Sequence, residues 1–222
     1  MSTKALKLYS YWRSSAAYRV RIALNLKGLD YTLVPVHLIN NGGEQHHPDF
    51  HAVNPQELIP VLVDGERVIR QSLAIVEYLD EVHPKSAPLL PADARSRARV
   101  RSLALAIACD IHPLNNARVL QYLEHELHIA QDARERWTRH WIGLSFAALE
   151  GLLGSDLATG RFCHGDEPTL ADVLLIPQVY NARRWQLDLT AYPTLLRIEQ
   201  TCLELEAFQR ALPENQPDAP HS

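Results

Sequence analysis

The first eighty residues of the chain show a fixed order of patterns, namely strand, helix, strand, hairpin and helix. Residues 6–9 alternate as in a half-buried strand, and a helical pattern follows from about Ser15 to Lys27. Residues 31–38 are again β-rich, and Pro35 indicates an edge position or a bulge. This order is typical of a thioredoxin-like fold, in which the two parallel strands are joined by a right-handed crossover.

A hairpin and a second helix complete the pattern. Residues 61–63 and 68–69 flank Asp64-Gly65, a dipeptide that is preferred in tight hairpin turns. The helical pattern that follows begins at Ser72, a residue type that often caps helices. We therefore expect an α/β domain with a thioredoxin-like fold over residues 1–83.

The rest of the chain is helical in pattern almost throughout. Residues 84–91 contain three prolines and predict a linker. Residues 95–109 are rich in Ala, Leu and Arg, and residues 169–172 form a capping-type start to a buried helix. The sequence thus predicts an all-α helical bundle over residues 92–222, in which residues 213–220 form an extended tail.

Composition excludes several classes of function. Hydrophobic residues make up 46% and charged residues 22% of the chain, as in ordinary globular proteins. A net charge of −4 argues against a nucleic-acid-binding protein, and no apolar run approaches the length needed to cross a membrane. The three cysteines form no close pair, which suits reduced thiols in the cytoplasm. We expect a cytoplasmic protein with no nucleic-acid or membrane partner.

Two serines, Ser14 and Ser15 (the serine pair), fall where the first strand gives way to the first helix. Redox-active thioredoxin-like proteins carry Cys-x-x-Cys at this turn, whereas this chain continues with Ala16 and Ala17 and has no thiol there. Free N–H groups and the positive end of the helix dipole favour a negative charge at such a position. One serine could merely cap the helix. The alternative is that the turn holds the thiolate of a bound thiol cofactor.

Two later segments favour the cofactor hypothesis. Pro60 opens a strand, and a cis bond before it would expose the backbone groups of Ile59. Gln71 and Ser72 open the next helix, whose N–H groups could bind a carboxylate. Each segment alone could be an ordinary turn proline or an ordinary cap, but their occurrence together with the serine pair favours a binding site. Residues 45–51 are rich in histidine, but we interpret them as a solvated polar loop and expect no metal site.

These segments resemble the glutathione transferase superfamily, and residues 13–24 resemble its zeta class, which includes maleylacetoacetate and maleylpyruvate isomerases. The resemblance covers nearly the whole chain, and it includes residues 54–55, 59–60, 71–79, 109–116, 169–172, 177–178 and 216–218. One departure is Ala16, because the zeta motif often reads Ser-Ser-Cys. That departure weakens any role for a protein thiol but not for the thiol of glutathione.

The resemblance implies that glutathione is the cofactor and assigns residues to it. A hydroxyl of the serine pair would bind the glutathione sulfur, and Ile59 would pair with its peptide backbone. Gln71 and Ser72 would hold the γ-glutamyl end, and Gln45 would contact the glycyl end. The resemblance leaves open which of the two serines stabilises the thiolate; Ser15 is favoured slightly because it lies nearer the helix N–H groups.

The resemblance also implies contributions from the helical domain and a set of substrate-binding arginines. His112 and Asn116 would belong to the glutathione-binding residues. Arg13, which also adjoins the reacting sulfur, would bind the diacid substrate together with Arg118 and Arg184, because planar guanidinium groups suit carboxylates. A two-fold homodimer is expected as well.

The activity that the resemblance implies is glutathione-dependent cis–trans isomerisation of maleylacetoacetate or maleylpyruvate, in the catabolism of aromatic compounds. The sequence does not separate these two substrates. A broader glutathione transferase that acts on small electrophiles or α-halo acids is one alternative, and a non-catalytic interaction module is another. The complete set of thiol-site segments argues against the interaction module.

Overall fold

The computed structural model describes residues 6–220. The N-terminal part of the chain forms a four-stranded mixed sheet. Its strands are β1 (Leu6–Ser10), β2 (Tyr31–Pro35), β3 (Val61–Asp64) and β4 (Arg67–Arg70). They lie in the order β2-β1-β3-β4, with β1 and β2 parallel and the other pairs antiparallel. The strand that contains Pro35 is therefore at an edge, as its sequence predicts.

Three helices accompany the sheet: α1 (Ser15–Leu26), α2 (Pro48–Val53) and α3 (Ser72–Val82). The predicted bounds of the first and third helices are close to those observed. The hairpin turn lies one residue later than Asp64-Gly65, because Asp64 pairs with Arg67 in the ladder. Gly65 takes the left-handed conformation that this turn requires, with φ of 63°.

The segment that was predicted as a polar loop is more ordered than its sequence indicates. A 3₁₀ turn covers Glu44–His46, and α2 follows it directly. Pro48 occupies the first turn of this helix, where its missing N–H costs nothing. Phe50 is buried in a cluster with Tyr11 and Val61, which gives the helix a reason to form among polar neighbours.

The second unit of the chain, Leu90–Leu203, is helical. It comprises α4 (Ala94–Leu105), α5 (Ala117–His125), α6 (Gln131–Ser155), α7 (Leu170–Arg184) and α8 (Pro193–Leu203). A capping box starts the buried helix α7, since Asp172 accepts hydrogen bonds from the N–H and hydroxyl of Thr169. None of the helices between residues 6 and 220 has the length and apolar character needed to span a membrane.

The C-terminal segment differs from its predicted place in the helical domain. Among the described residues, 204–220 form one compact unit with residues 6–89. This segment contains α9 (Glu206–Ala211), which packs on α1, and a 3₁₀ turn at Pro213–Asn215. The amide of Asn25 donates to the carbonyl of Ala207 at 2.8 Å. The predicted extended tail, residues 213–220, therefore begins with a 3₁₀ turn. Residues 1–5 and 221–222 lie outside the described part.

Candidate active site

The strand register brings the three predicted site segments to one end of the sheet. Tyr9 on β1 lies opposite Val61 on β3, which in turn lies opposite Arg70 on β4. The serine pair follows β1, the Ile59–Pro60 bond precedes β3, and the start of α3 follows β4. These segments therefore form a row across the end of three adjacent strands.

The serine pair begins α1 and leaves several donors available. The hydroxyl oxygen of Ser14 caps the helix by accepting the N–H of Ala17 at 3.2 Å. Because this bond uses the oxygen, the O–H of Ser14 can still donate. Within residues 6–220, the N–H groups of Ser15 and Ala16 and the hydroxyl of Ser15 have no hydrogen-bond partner. A helix start with free N–H and O–H groups is suited to binding an anion.

Arg13 adds a positive charge beside this turn. Its side chain is half-buried, and its guanidinium lies 5.5 Å from the centroid of the Trp12 ring. No carboxylate in the described part of the chain forms an ion pair with it. A planar cation that stacks on an aromatic ring and lacks an internal partner is well placed to bind an external carboxylate.

The peptide bond between Ile59 and Pro60 is cis, and both residues are buried. Among the described residues, neither the N–H nor the C=O of Ile59 has a hydrogen-bond partner. Asn54 orders the loop before it by donating to the carbonyl of Leu58 at 2.6 Å and accepting the N–H of Gln56 at 3.1 Å. The sequence pattern that includes Asn54 gives no indication of this positioning role.

The start of α3 contains an unusual backbone conformation. Gln71 precedes the helix with φ of 71° and ψ of 119°, and it is not a glycine. A residue held in this region costs on the order of 1–3 kcal/mol, and such residues cluster at ligand clamps and active sites. Its side-chain amide donates to Gln56 at 3.0 Å, which joins α3 to the loop that Asn54 orders.

The first turn of α3 presents its N–H groups to the same end of the sheet. The first three of these groups have no acceptor in residues 6–220. Ser72 is buried, and its hydroxyl oxygen accepts a hydrogen bond from Arg19 on α1 at 3.2 Å. Free N–H groups, a hydroxyl and a nearby guanidinium form a site that is suited to a carboxylate.

Gln45 lies in the 3₁₀ turn that precedes α2 and is buried. Its Nε2 is 3.0 Å from a ring nitrogen of His46, and its buried Oε1 has no partner in the described part. Glu57 bridges His46 and His51, at 2.6 Å and 3.0 Å. The hydrogen bond from His46, which has the largest effect, and the hydrogen bond from His51 both lower the pKa of Glu57. This bridge joins the turn that carries Gln45 to the loop that leads to Ile59.

The helical unit carries the remaining candidates around an irregular stretch. A π-helical turn at Ala106–Ile111 leads into the 3₁₀ turn His112–Asn115. Asn116 then caps α5, because its side-chain oxygen accepts the N–H of Arg118 at 3.1 Å. The side chain of Arg118 is exposed. The structure thus gives Asn116 a capping role that sequence reasoning did not assign.

Arg184 is the last residue of α7 and is exposed. Its guanidinium lies 5.6 Å from the centroid of the Trp185 ring. Asn181, one turn earlier, donates to Asn115 at 3.3 Å. This bond links α7 to the 3₁₀ turn that begins at His112. In residues 6–220, no group of three or more His, Cys, Asp or Glu side chains could hold a metal ion.

A thioredoxin-like sheet with this row of open backbone groups, in a chain that also forms a helical unit, defines the glutathione transferase class of folds. Residues 8–87 match the family model for the N-terminal domain of glutathione S-transferases. The chain is 56% identical over 216 residues to a probable maleylacetoacetate isomerase of Vibrio cholerae, with 97% of this chain and 99% of that protein covered.

Solved structures give the same result. A bacterial maleylpyruvate isomerase of the zeta class, solved in its holo form, has a TM-score of 0.93 at 48% identity, covering 96% of this chain and all of that one. A maleylacetoacetate isomerase from Methylobacterium extorquens AM1, with bound malonate and glutathione, also has a TM-score of 0.93, at 44% identity with 97% and 100% coverage. The chain belongs to the zeta class of the glutathione transferase family.

Proposed function

We propose that this protein is a glutathione-dependent cis–trans isomerase of maleyl-type diacids. Its substrate would be maleylacetoacetate or maleylpyruvate, converted to the fumaryl isomer in the catabolism of aromatic compounds. The observation that carries the proposal is the row of unpaired backbone and hydroxyl donors at one end of the sheet. Relatives that are named as these isomerases, and that match 96–97% of the chain, support it.

The row has the length of the γ-glutamyl arm of glutathione. Adjacent strands are about 4.8 Å apart, so the turns that follow β1 and β4 are separated by about 10 Å. The chain of eight bonds from the cysteinyl sulfur of glutathione to its γ-glutamyl α-carboxylate also spans about 10 Å when it is extended. Glutathione would then place its thiol at the serine pair, its peptide groups at Ile59 and its γ-glutamyl carboxylate at Gln71 and Ser72. Gln45, with a buried and unpaired Oε1, would contact the glycyl end.

The serine pair would generate the reactive form of the thiol. A free thiol titrates near pH 8.5. Hydroxyl donors and the free N–H groups at the start of α1 stabilise an anion and would lower this pKa. Glutathione held by these groups would supply a thiolate for reversible addition to the conjugated double bond, which would allow rotation about the resulting single bond. Because the sulfur–carbon bond would be formed and broken in each turnover, glutathione would not be consumed.

The arginines would bind the substrate. Arg13 adjoins the turn that holds the sulfur, so its guanidinium can reach a carboxylate on the molecule under attack. Positioned cationic donors also stabilise the negative charge that develops on the substrate carbonyl oxygen. We assign Arg118 and Arg184 of the helical unit to the second carboxylate. His112 and Asn116 would complete the glutathione-binding residues.

We also propose that the protein is a cytoplasmic homodimer. Cys109, Cys163 and Cys202 are all free, as is usual in a reducing compartment. The helical unit exposes several large apolar side chains, namely Tyr122, Leu127, Leu144 and Leu152. These side chains provide apolar area that a subunit interface could cover.

A spectrophotometric assay tests the proposed activity. Purified protein is mixed with maleylacetoacetate or maleylpyruvate, with and without glutathione, and the fumaryl product is quantified. We expect turnover with at least one substrate only when glutathione is present, and no net loss of glutathione. Accumulation of a stable conjugate would instead indicate a general transferase. Absence of turnover with both substrates would refute the isomerase.

A further inference from the structure

The turn that leads to the serine pair is bound by a carboxylate from the other end of the chain. The N–H of Trp12 donates to Oδ2 of Asp218 at 2.8 Å, across a separation of 206 residues. Both residues belong to the unit that contains the sheet. Since Trp12 lies two residues before Ser14, this hydrogen bond acts directly on the segment that carries the candidate thiolate site.

Arg21 binds the carbonyl groups on either side of this N–H group, those of Tyr11 and Trp12. This fully buried residue donates to the carbonyl of Trp12 at 3.0 Å and to that of Tyr11 at 3.4 Å. Its Nε donates to the carbonyl of Ala211 at 3.1 Å, at the end of α9. Charged side chains thus bind both the N–H and the C=O of Trp12, and hydrogen bonds of this kind are stronger than neutral ones.

The segment that carries Asp218 is itself anchored. The amide of Gln216 donates to the carbonyls of Arg210 and Leu212 at 2.9 Å and 2.8 Å. The N–H of Ala219 donates to the carbonyl of Gln216 at 3.0 Å. Asp218 is therefore held in place independently of the turn, and it can impose a position on Trp12.

The second oxygen of Asp218 gives a reason to look beyond stability. Oδ1 is buried and has no hydrogen-bond partner in residues 6–220. Burying a carboxylate oxygen in this way is unfavourable for folding. An acidic residue at this position is better explained by what it holds than by the stability it adds.

We propose that Asp218 is a positioning residue of the thiolate site, which fixes the Trp12 peptide so that Arg13 and the serine pair keep their orientation. The inference rests on the proposed function for its catalytic meaning. Its structural part concerns a single hydrogen bond and can be tested without any ligand.

Two substitutions separate the hydrogen bond from the fold. Asp218→Ala removes the acceptor, whereas Asp218→Asn keeps an oxygen that can accept the N–H of Trp12. Asp188→Ala is the matched control, because Asp188 also accepts a backbone N–H, that of Thr190 at 3.0 Å, in an exposed turn of the helical unit. Circular dichroism confirms that each variant is folded before measurement.

Three readouts are compared. Hydrogen exchange at the Trp12 amide, measured by NMR without ligand, should be faster in Asp218→Ala than in wild type and Asp218→Asn. The apparent pKa of bound glutathione, followed by thiolate absorbance, should rise in Asp218→Ala. The kcat/KM of Asp218→Ala at neutral pH should fall roughly tenfold, as expected for a lost charged hydrogen bond. It should recover partly at alkaline pH. Asp218→Asn should retain most of the activity, and Asp188→Ala all of it.

The outcomes distinguish this inference from the proposed function. Wild-type exchange at Trp12 and a wild-type thiol pKa in folded Asp218→Ala would overturn the inference, as would an equal loss in Asp188→Ala. If the wild-type protein binds glutathione with a lowered thiol pKa but isomerises neither substrate, the proposed function fails. A raised thiol pKa in Asp218→Ala would then still support the positioning role.

Discussion

Arg19 on α1 donates a hydrogen bond from Nη1 to the hydroxyl oxygen of Ser72 at the start of α3, at 3.2 Å, and both residues are buried. The helix that begins with the serine pair is thereby joined to the helix proposed to hold the γ-glutamyl carboxylate. Because the bond uses the oxygen of Ser72, its O–H remains able to donate to a ligand. Arg19 is therefore a link between two parts of the candidate site.

The first prediction separates the two serines. In Ser15→Ala, the apparent pKa of bound glutathione should rise by roughly one unit, because a donor to the thiolate is lost. The rate should fall most at neutral pH and recover as the pH is raised. Stability separates the two variants: Ser14→Ala also removes the helix cap, so its free energy of unfolding should fall by about 1 kcal/mol.

The pH–rate profile, the thiolate absorbance and urea unfolding provide these measurements. Wild-type pH–rate profiles in both variants would mean that the hydroxyls serve only as caps or solvent-exposed groups.

The second prediction concerns substrate recognition by arginine. Arg13→Ala and Arg184→Ala should each reduce kcat/KM for the diacid by roughly tenfold to a hundredfold, the effect of losing a charged hydrogen bond worth about 1.5–3 kcal/mol. Glutathione affinity should change little. Arg13→Lys should restore little activity, since lysine keeps the charge but loses the planar fork.

Arg136→Ala is the control for these arginines, because the one ion pair of Arg136 within the described residues is an exposed pair with Asp132, one turn away on α6. Its kinetics should match those of the wild-type protein. Weaker glutathione binding in Arg13→Ala or Arg184→Ala, with unchanged substrate kinetics, would show that these arginines bind glutathione and not the diacid substrate.

The third prediction is that no protein thiol takes part in turnover. Burial raises the pKa of the Cys163 and Cys202 thiols, which keeps them protonated and unreactive. An alkylating reagent should therefore modify the exposed Cys109 first in native protein, as mass spectrometry can show. The triple variant Cys109→Ser, Cys163→Ala, Cys202→Ala should retain most of its glutathione-dependent activity if it is folded. A folded but inactive triple variant would contradict this prediction.

The fourth prediction is a pH dependence of stability from Glu57. Its hydrogen bonds with His46 and His51 lower its pKa below the ordinary value of 4.5. Because the pKa of Glu57 is lower in the folded than in the unfolded protein, its ionised carboxylate stabilises the fold at pH values above 4.5. This contribution is lost as the pH falls through the lowered pKa. The stability difference between wild type and Glu57→Gln should therefore shrink on acidification.

Urea unfolding at a series of pH values measures that difference. Glu66→Gln is the control, because Glu66 is exposed in the β3–β4 turn and has no ion pair within the described residues. An equal pH response in the two variants would exclude the bridge as its source.

The fifth prediction is a homodimer with two-fold symmetry. Light scattering at micromolar concentration should give twice the mass of one chain. The exposed apolar side chains of the helical unit, such as Tyr122 and Leu144, would be covered in that assembly. A monomer at this concentration would refute the prediction.

Local patterns were sufficient to predict most elements. The alternation in β1, the cap at Ser14, the edge strand that contains Pro35 and the start of α3 are all set by residues close in sequence. The order of these elements allowed the thioredoxin-like fold to be predicted. The segment with α2 was missed because its short helix depends on burying Phe50 against residues that are distant in sequence.

Residue types and local patterns are enough to predict which chemical groups the candidate site contains, because hydroxyls, arginines and helix starts can be recognised from them. Which of these groups act together depends on contacts between segments that are distant in sequence. Strand register aligned the serine pair with Ile59 and α3, and folding brought Asp218 to Trp12. Contacts across long sequence separations depend on packing of the whole unit, and no local pattern encodes the partner of a half-buried carboxylate such as that of Asp218.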